Sequence, residues 1–414
     1  MEEFVKNQII YGLKYLPGHL IKSYFIPQSS EETRALRRRF LCGVCHPNED
    51  FDRLREGEIE WVRFDVPFPL TPEGAEQPGY TAFKERCRSY AERGFSVMAV
   101  TPFPGAFLRN GINPRTPEGE ARVRQTAAFL ARDLQGLASG FQISNEMGLP
   151  KFTLPLTLDE AARFIGVQAE TMYPLRGNIL IGYNSGGPEA KLHALLRPYH
   201  RYCDYVGVDI YLGCFAGVPG TLWLFEAVMR CLWAMTGKPI VLQEFGYIGG
   251  GAPKTKAQRR EILRGYGIER ETDARPIIEE FVGRLPKTFQ HFIRHDGNND
   301  PSRYFDLVFR SDYRQHFYKE MPRLTRIPGY PHTPEGQAKF YDDLIPRLYR
   351  LPFTAGLMVY CWSDAEVCGY CGQPDCPVET RWGLADCAGN PKPSFYAVRR
   401  QFGRIHRENE SAAD

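Results

Sequence analysis

The sequence predicts an α/β chain closed into a (β/α)8 barrel. Two observations carry this: short apolar or β-branched runs recur along the chain, and most are followed by sequence of helical pattern. The runs cover 40–45, 60–66, 95–101, 140–146, 178–183, 205–211, 239–244 and 356–362. Eight buried strands alternating with helices close into a barrel, whereas an open doubly wound sheet usually uses fewer. Expected helices cover 80–93, 118–134, 158–173, 189–202, 222–235 and 334–348. Thr157 and Glu160 resemble a capping box, and Gly94 is a good stop for the helix before it.

Around this barrel the chain reads as 1–39, an N-terminal helical extension; 40–403, the barrel; and 404–414, a polar tail. Within 4–26 the apolar residues have irregular helical spacing, which favours a helix packed on the barrel over a membrane-surface anchor. The interval 249–333 breaks the rhythm and is expected to be an insertion leaving the C-terminal mouth, either a lid over the site or a buttress on the outer ring.

Composition narrows the function. Hydrophobic residues at 43% and charged residues at 24% suit a folded chain with a substantial core. A net charge of +3, with only short basic clusters such as Arg37-Arg38-Arg39, gives nucleic acid no obvious footprint. No run approaches the roughly 20 apolar residues that span a bilayer. The expected compartment is the cytoplasm, with no membrane partner; a homo-oligomer stays open.

Barrel active sites sit at the C-terminal strand ends, so acids there are read for chemistry first. Glu146 ends the fourth strand in Ser144-Asn145-Glu146, and Glu244 ends the seventh in Gln243-Glu244-Phe245-Gly246. A lone strand-end glutamate is more often solvated or ion-paired. Two facing one cavity suit a glycosidase, whose retaining form needs carboxyl groups roughly 5–5.5 Å apart, one protonated and one ionised. Tyr183, Asn184, Asp209 and Asp364 are further candidate substrate contacts.

These features resemble the clan A glycoside hydrolases, the retaining β-glycosidase superfamily that includes families 2, 5 and 42. Asn145-Glu146, Tyr211 ending the sixth strand, Glu244 and Trp362 carry the resemblance, with Gly383-Leu384-Ala385-Asp386 and Asn390-Pro391-Lys392-Pro393-Ser394 at the end of the barrel. It implies Glu146 as acid/base, Glu244 as nucleophile and Asn145 as donor to the sugar 2-hydroxyl. It also implies that Tyr211 and Arg63 hold the nucleophile and that Trp362 floors the sugar subsite. Arg63 pairing with Asp65, and Trp362 as core, are the structural alternatives. Family 5 is not assigned, because its usual histidines are replaced by Thr101-Pro102 and Asp209-Ile210-Tyr211. The expected substrate is a β-linked gluco-, galacto- or manno-configured oligosaccharide. A transglycosylase and a non-catalytic carbohydrate-binding barrel are the rival functions.

Cys368, Cys371, Cys376 and Cys387 follow the last strand in a Gly/Pro-rich loop. The C-x2-C pair with two further thiols fits a structural four-thiolate zinc site, with free thiols or disulfides as alternatives. Four thiolates leave no open position, so no cofactor is expected for catalysis. A second pair, Cys42 and Cys45, falls in the first strand, where alternation points the two thiols to opposite faces.

Overall fold

The computed structural model describes residues 2–214, 221–322 and 325–411. Eight parallel strands close in sequence order: β1 Leu41–Cys45, β2 Trp61–Asp65, β3 Ser96–Val100, β4 Gly140–Ile143, β5 Leu180–Ser185, β6 Tyr205–Ile210, β7 Ile240–Phe245 and β8 Thr354–Val359, which pairs back onto β1. The chain is a (β/α)8 barrel. Two strand ends differ from expectation in ways that matter for the site. β4 stops at Ile143 because Ser144 and Glu146 take left-handed angles, φ 60° and 41°, which break the ladder. β8 starts and ends earlier in the chain than its apolar pattern suggests, so Trp362 lies beyond the strand.

Alternation divides the core in two. Leu41, Cys45, Trp61, Met98, Tyr205 and Met358 fill the barrel interior, while Cys42, Val62, Val97, Phe141 and Val206 pack under the helices. The interior is close-fitted, large side chains lying over glycines of the neighbouring strand. A Cβ on Gly182 would stand 2.4 Å from the Tyr205 ring, and one on Gly207 only 1.7 Å from Gln243 Oε1.

The helical shell follows the expected ranges with local exceptions. Leu158–Met172 begins on Thr157, whose side chain accepts from Glu160 N–H while the Glu160 carboxylate caps Thr157 in return. After β5 the helix is only Ala190–Leu196 and tightens into a 3-10 turn, Arg197–Tyr202, because Pro198 lacks the donor needed to continue. The last helix, Pro393–Ser411, runs through most of the stretch that reads as a polar tail; 412–414 lie outside the described residues. Ile405 continues the buried face of Phe395, Val398 and Phe402, and Tyr349 Oη donates to Asn409 at 3.0 Å. The insertion folds as short helices, among them Lys287–Asp296, Tyr304–Arg310 and Tyr313–Tyr318, around its own aromatic cluster, with Phe309 5.5 Å from Phe281 and 5.1 Å from Phe317.

The close fit at Gly207 makes Gly207→Ala an overpacking substitution, expected to cost about 1–3 kcal/mol. A urea titration checks this: the midpoint falls while the slope stays that of the parent.

Candidate active site

The C-terminal ends of the strands gather one network around Arg63, which β2 points into the barrel. Its guanidinium is 1% exposed. It pairs with Glu244 Oε1 at 2.7 Å and donates to Gln142 Oε1 at 2.7 Å, Asn145 Oδ1 at 2.7 Å and the Cys45 sulfur at 3.8 Å. Arg63 therefore pairs with Glu244, and Asp65 stays exposed. Tyr211 donates to the other Glu244 oxygen at 2.5 Å. Each Glu244 oxygen thus has a donor of its own, one of them a cation.

A bulge aims Glu244. Along β6 and β7, Val208 faces Leu242 but Asp209 faces Glu244, so Gln243 is an extra residue. Both neighbours then turn inward: Gln243 donates to Tyr205 Oη at 3.0 Å inside the barrel, and Glu244 reaches the mouth.

The other glutamate stands on a strained turn. Ser144 and Glu146 flank Asn145 with positive φ, and two side chains hold that backbone. Thr101 Oγ1 accepts from Ser144 N–H at 3.1 Å, and Asn184 Oδ1 accepts from Glu146 N–H at 2.7 Å. Asn145 Oδ1 takes donors from Arg63, from Gln142 at 2.9 Å and from Asn184 at 3.3 Å. That fixes the amide oxygen, and the amide nitrogen makes no hydrogen bond among the described residues.

Electrostatics separate the carboxyl groups. Burial pushes Glu146 up to about 8; the charge of Glu244 adds to this, and Lys151 and Arg63 oppose it. Asp209 is also raised, by burial and then by Glu244 and Glu146. One of its oxygens accepts from Asn184 Nδ2 at 2.7 Å and the other has no partner among the described residues. Burial and the neighbouring acids thus favour the neutral form of Glu146 and of Asp209, while Glu244 holds the contact with Arg63.

The other candidate substrate contacts lie in different surroundings. Asn184 has both ends of its amide engaged, on Glu146 N–H and on Asp209, so it holds the Glu146 turn. Tyr183 faces the helical shell, its hydroxyl between His193 Nδ1 at 2.9 Å and His200 Nε2 at 3.1 Å, because alternation along β5 turns it away when Asn184 turns in. Asp364 is buried against Lys392 Nζ and Gly383 N–H, both at 2.8 Å, and pins the following loop. Trp362 is buried against Phe395. Because β8 ends at Val359, Tyr360 takes the strand-end place, its ring edge-on to Tyr211 at 5.7 Å and to Trp382 at 5.8 Å.

Cys387 is exposed and apart from the other loop thiols. His316, from the insertion, joins Cys368, Cys371 and Cys376 instead, with all four ligand atoms within 4.8 Å of one another and all four residues buried. This group is able to hold a metal ion. The histidine was missed because no local spacing links it to cysteines in a loop beyond the last strand. Tyr370, inside that loop, packs on Phe292 and His316 of the insertion and accepts from Lys151 on the β4 side. Insertion and cysteine loop thus meet beside the Glu146 turn.

The raised Glu146 gives a stability signature. An unfolded glutamate titrates at about 4.3 and the native one at about 8, so between these the folded chain holds the extra proton and stability falls as pH rises. In Glu146→Gln that contribution to the slope vanishes, and the variant outlasts the parent in denaturant titrations at the alkaline end of the window.

No family model matches the sequence, and no curated protein matches it. Among solved structures, the GH53 catalytic domain of Ignisphaera aggregans superposes with TM-score 0.53 at 16% identity, covering 88% of this chain and 96% of that one. A family 39 glycoside hydrolase from Bacteroides cellulosilyticus WH2 gives 0.50 at 13% identity, over 88% of this chain and 64% of that one. The Bacteroides uniformis β-glucuronidase gives 0.51 at 12%, over 88% and 35%. The likeness is one of fold: the chain shares the barrel architecture of these glycoside hydrolases, and no family is assigned.

Proposed function

We propose that the chain is a retaining glycoside hydrolase acting on β-linked gluco-, galacto- or manno-configured oligosaccharides. The observation that carries this reading is the unequal pair at one barrel mouth: Glu244 held by Arg63 and Tyr211, and Glu146 kept protonated by burial and by Glu244. Glu146 hands its proton to the leaving oxygen while Glu244 attacks the anomeric carbon, forming a glycosyl-enzyme. Glu146, now ionised, takes a proton from water, whose oxygen displaces Glu244. The free Asn145 amide nitrogen suits the 2-hydroxyl, and Tyr360, in place of Trp362, offers the aromatic surface at the subsite.

Chemical rescue tests both roles. Glu146→Ala is expected to lose about 10²–10⁴-fold in turnover of substrates with poor leaving groups. Glu244→Ala is expected to lose on the order of 10⁴-fold or more. With azide and an activated aryl β-glycoside, Glu244→Ala yields the α-glycosyl azide and Glu146→Ala the β-glycosyl azide. Unchanged turnover in either variant rejects that assignment. In the parent, kcat/KM falls on the alkaline side near a pH of about 8, as Glu146 loses its proton. The ratio of transfer product to hydrolysis product with an added sugar acceptor separates the transglycosylase reading.

The second part of the proposal is a structural zinc on His316, Cys368, Cys371 and Cys376. The His316 Nδ1 distances of 3.4 Å to Cys368 Sγ and 3.5 Å to Cys376 Sγ fit the edge of a tetrahedron with bonds of about 2.0–2.3 Å. Metal analysis of the purified protein should give one zinc per chain, retained in Cys387→Ser and lost in His316→Ala. Equal retention in both would remove His316 from the ligand set.

A further inference from the structure

The N-terminal helix Glu2–Ser23 turns apolar side chains outward. Its inner face, where Gly12 and Ser23 are buried, lies on helices Ala190–Leu196 and Leu222–Thr236. The Cys231 thiol contacts the Leu16 carbonyl at 3.7 Å, and Trp233 Nε1 donates to Pro27 O at 3.1 Å. Outside that face Ile9, Ile10, Leu13, Ile21, Tyr24 and Phe25 are 54% to 83% exposed, Tyr24 with its ring also 4.6 Å from the Arg230 guanidinium of the barrel helix. They are six of the eleven large apolar side chains exposed among the described residues, gathered in one short segment. Ile10, Leu13, Pro17 and Ile21 advance in steps of three and four, one stripe along the solvent side. A contiguous exposed apolar strip marks a contact surface.

The charges select the partner. Residues 4–30 contain Lys6, Lys14 and Lys22, all exposed, and no aspartate or glutamate. The acids of the helix are confined to Glu2 and Glu3, ahead of the stripe, so a second copy laid along residues 10–21 would offer the lysines there no carboxylate. Among the described residues no helix is long and apolar enough to cross a membrane. An apolar stripe flanked by lysines and aromatic rings matches instead a helix lying in the plane of a lipid interface.

We propose that this face docks on an anionic lipid bilayer, the apolar stripe at the acyl boundary and the lysines among the headgroups. The expected packing on the barrel and a lipid-facing role coexist, because opposite sides of one helix serve them. Gln8 Nε2 donates to Gly148 O, two residues beyond Glu146, so the helix begins beside the catalytic turn. The docking surface is independent of the reaction assigned to the barrel.

Sedimentation of the full chain with vesicles tests this, using phosphatidylcholine alone and phosphatidylcholine mixed with phosphatidylglycerol. The parent is expected to pellet with the anionic vesicles and stay in solution with the neutral ones, with binding weakened by salt. Replacing Lys6, Lys14 and Lys22 by Gln should weaken partitioning about fivefold per lysine. Leu13→Asp with Ile21→Asp should abolish it with thermal melting unchanged, and Ile10→Asn with Leu13→Asn repeats the test should the aspartates lower melting. Parent protein left in the supernatant with anionic vesicles overturns the proposal, whether or not the chain dimerises. So does pelleting that is indifferent to both sets of substitutions.

Discussion

The site depends on how one buried cation is shared. Arg63 is the cation at the centre of the strand-end network, and Glu146, Asp209 and Glu244 all feel it. A guanidinium removed from water is tolerable only with its donors paired, and this one is surrounded by a carboxylate, two amide oxygens and a sulfur. Direct contact goes to Glu244 alone. With one positive charge among three acids in a medium that screens poorly, Glu244 keeps the cation, and burial favours the protonated form of the other two. Glu146 and Glu244 are made different by placement, since the side chains are chemically identical.

Placement in turn rests on two departures from regular strand geometry. Regular alternation with Gln243 inside would turn Glu244 toward the helices; the bulge lets both face inward. Across the barrel, β4 ends early and the left-handed pair at Ser144 and Glu146 swings Asn145 and Glu146 over the mouth. Non-glycine residues in that region cost of order 1–3 kcal/mol each and persist only where neighbours over-determine them. Here Thr101 and Asn184 take the turn's N–H groups, and Asn184 is itself tied to Asp209. The strain at the acid is thus supported by the same amide that touches the third carboxyl group.

This explains which parts of the site are legible in the sequence. The barrel and the group Arg63, Asn145, Glu146, Tyr211 and Glu244 can be read because strand ends are marked by a change from apolar to polar residues, and the structure brings these five together. Errors arise where a shift of one or two residues reverses a direction. Tyr183 and Asn184 are adjacent, yet one faces the helices and the other the barrel. Trp362 looks like the end of β8, but the strand stops at Val359 and gives the position to Tyr360. The His316 contact with the cysteines spans more than fifty residues and is set by how the insertion folds back, which no local pattern records.

That long-range contact connects the outer wall to the acid. With three thiolates and an imidazole from the protein, a bound zinc would keep no open position, so its part is mechanical. It would close the loop 368–376 onto the insertion, and the loop carries Tyr370, which accepts the Lys151 bond. Lys151 is one of two cations that lower Glu146 against the opposing effects of burial and Glu244. A loop released from the insertion would free Tyr370 and, with it, the lysine. The geometry of four ligands at the edge of the mouth therefore bears on the protonation of a carboxyl group inside it, through one tyrosine hydroxyl and one ammonium.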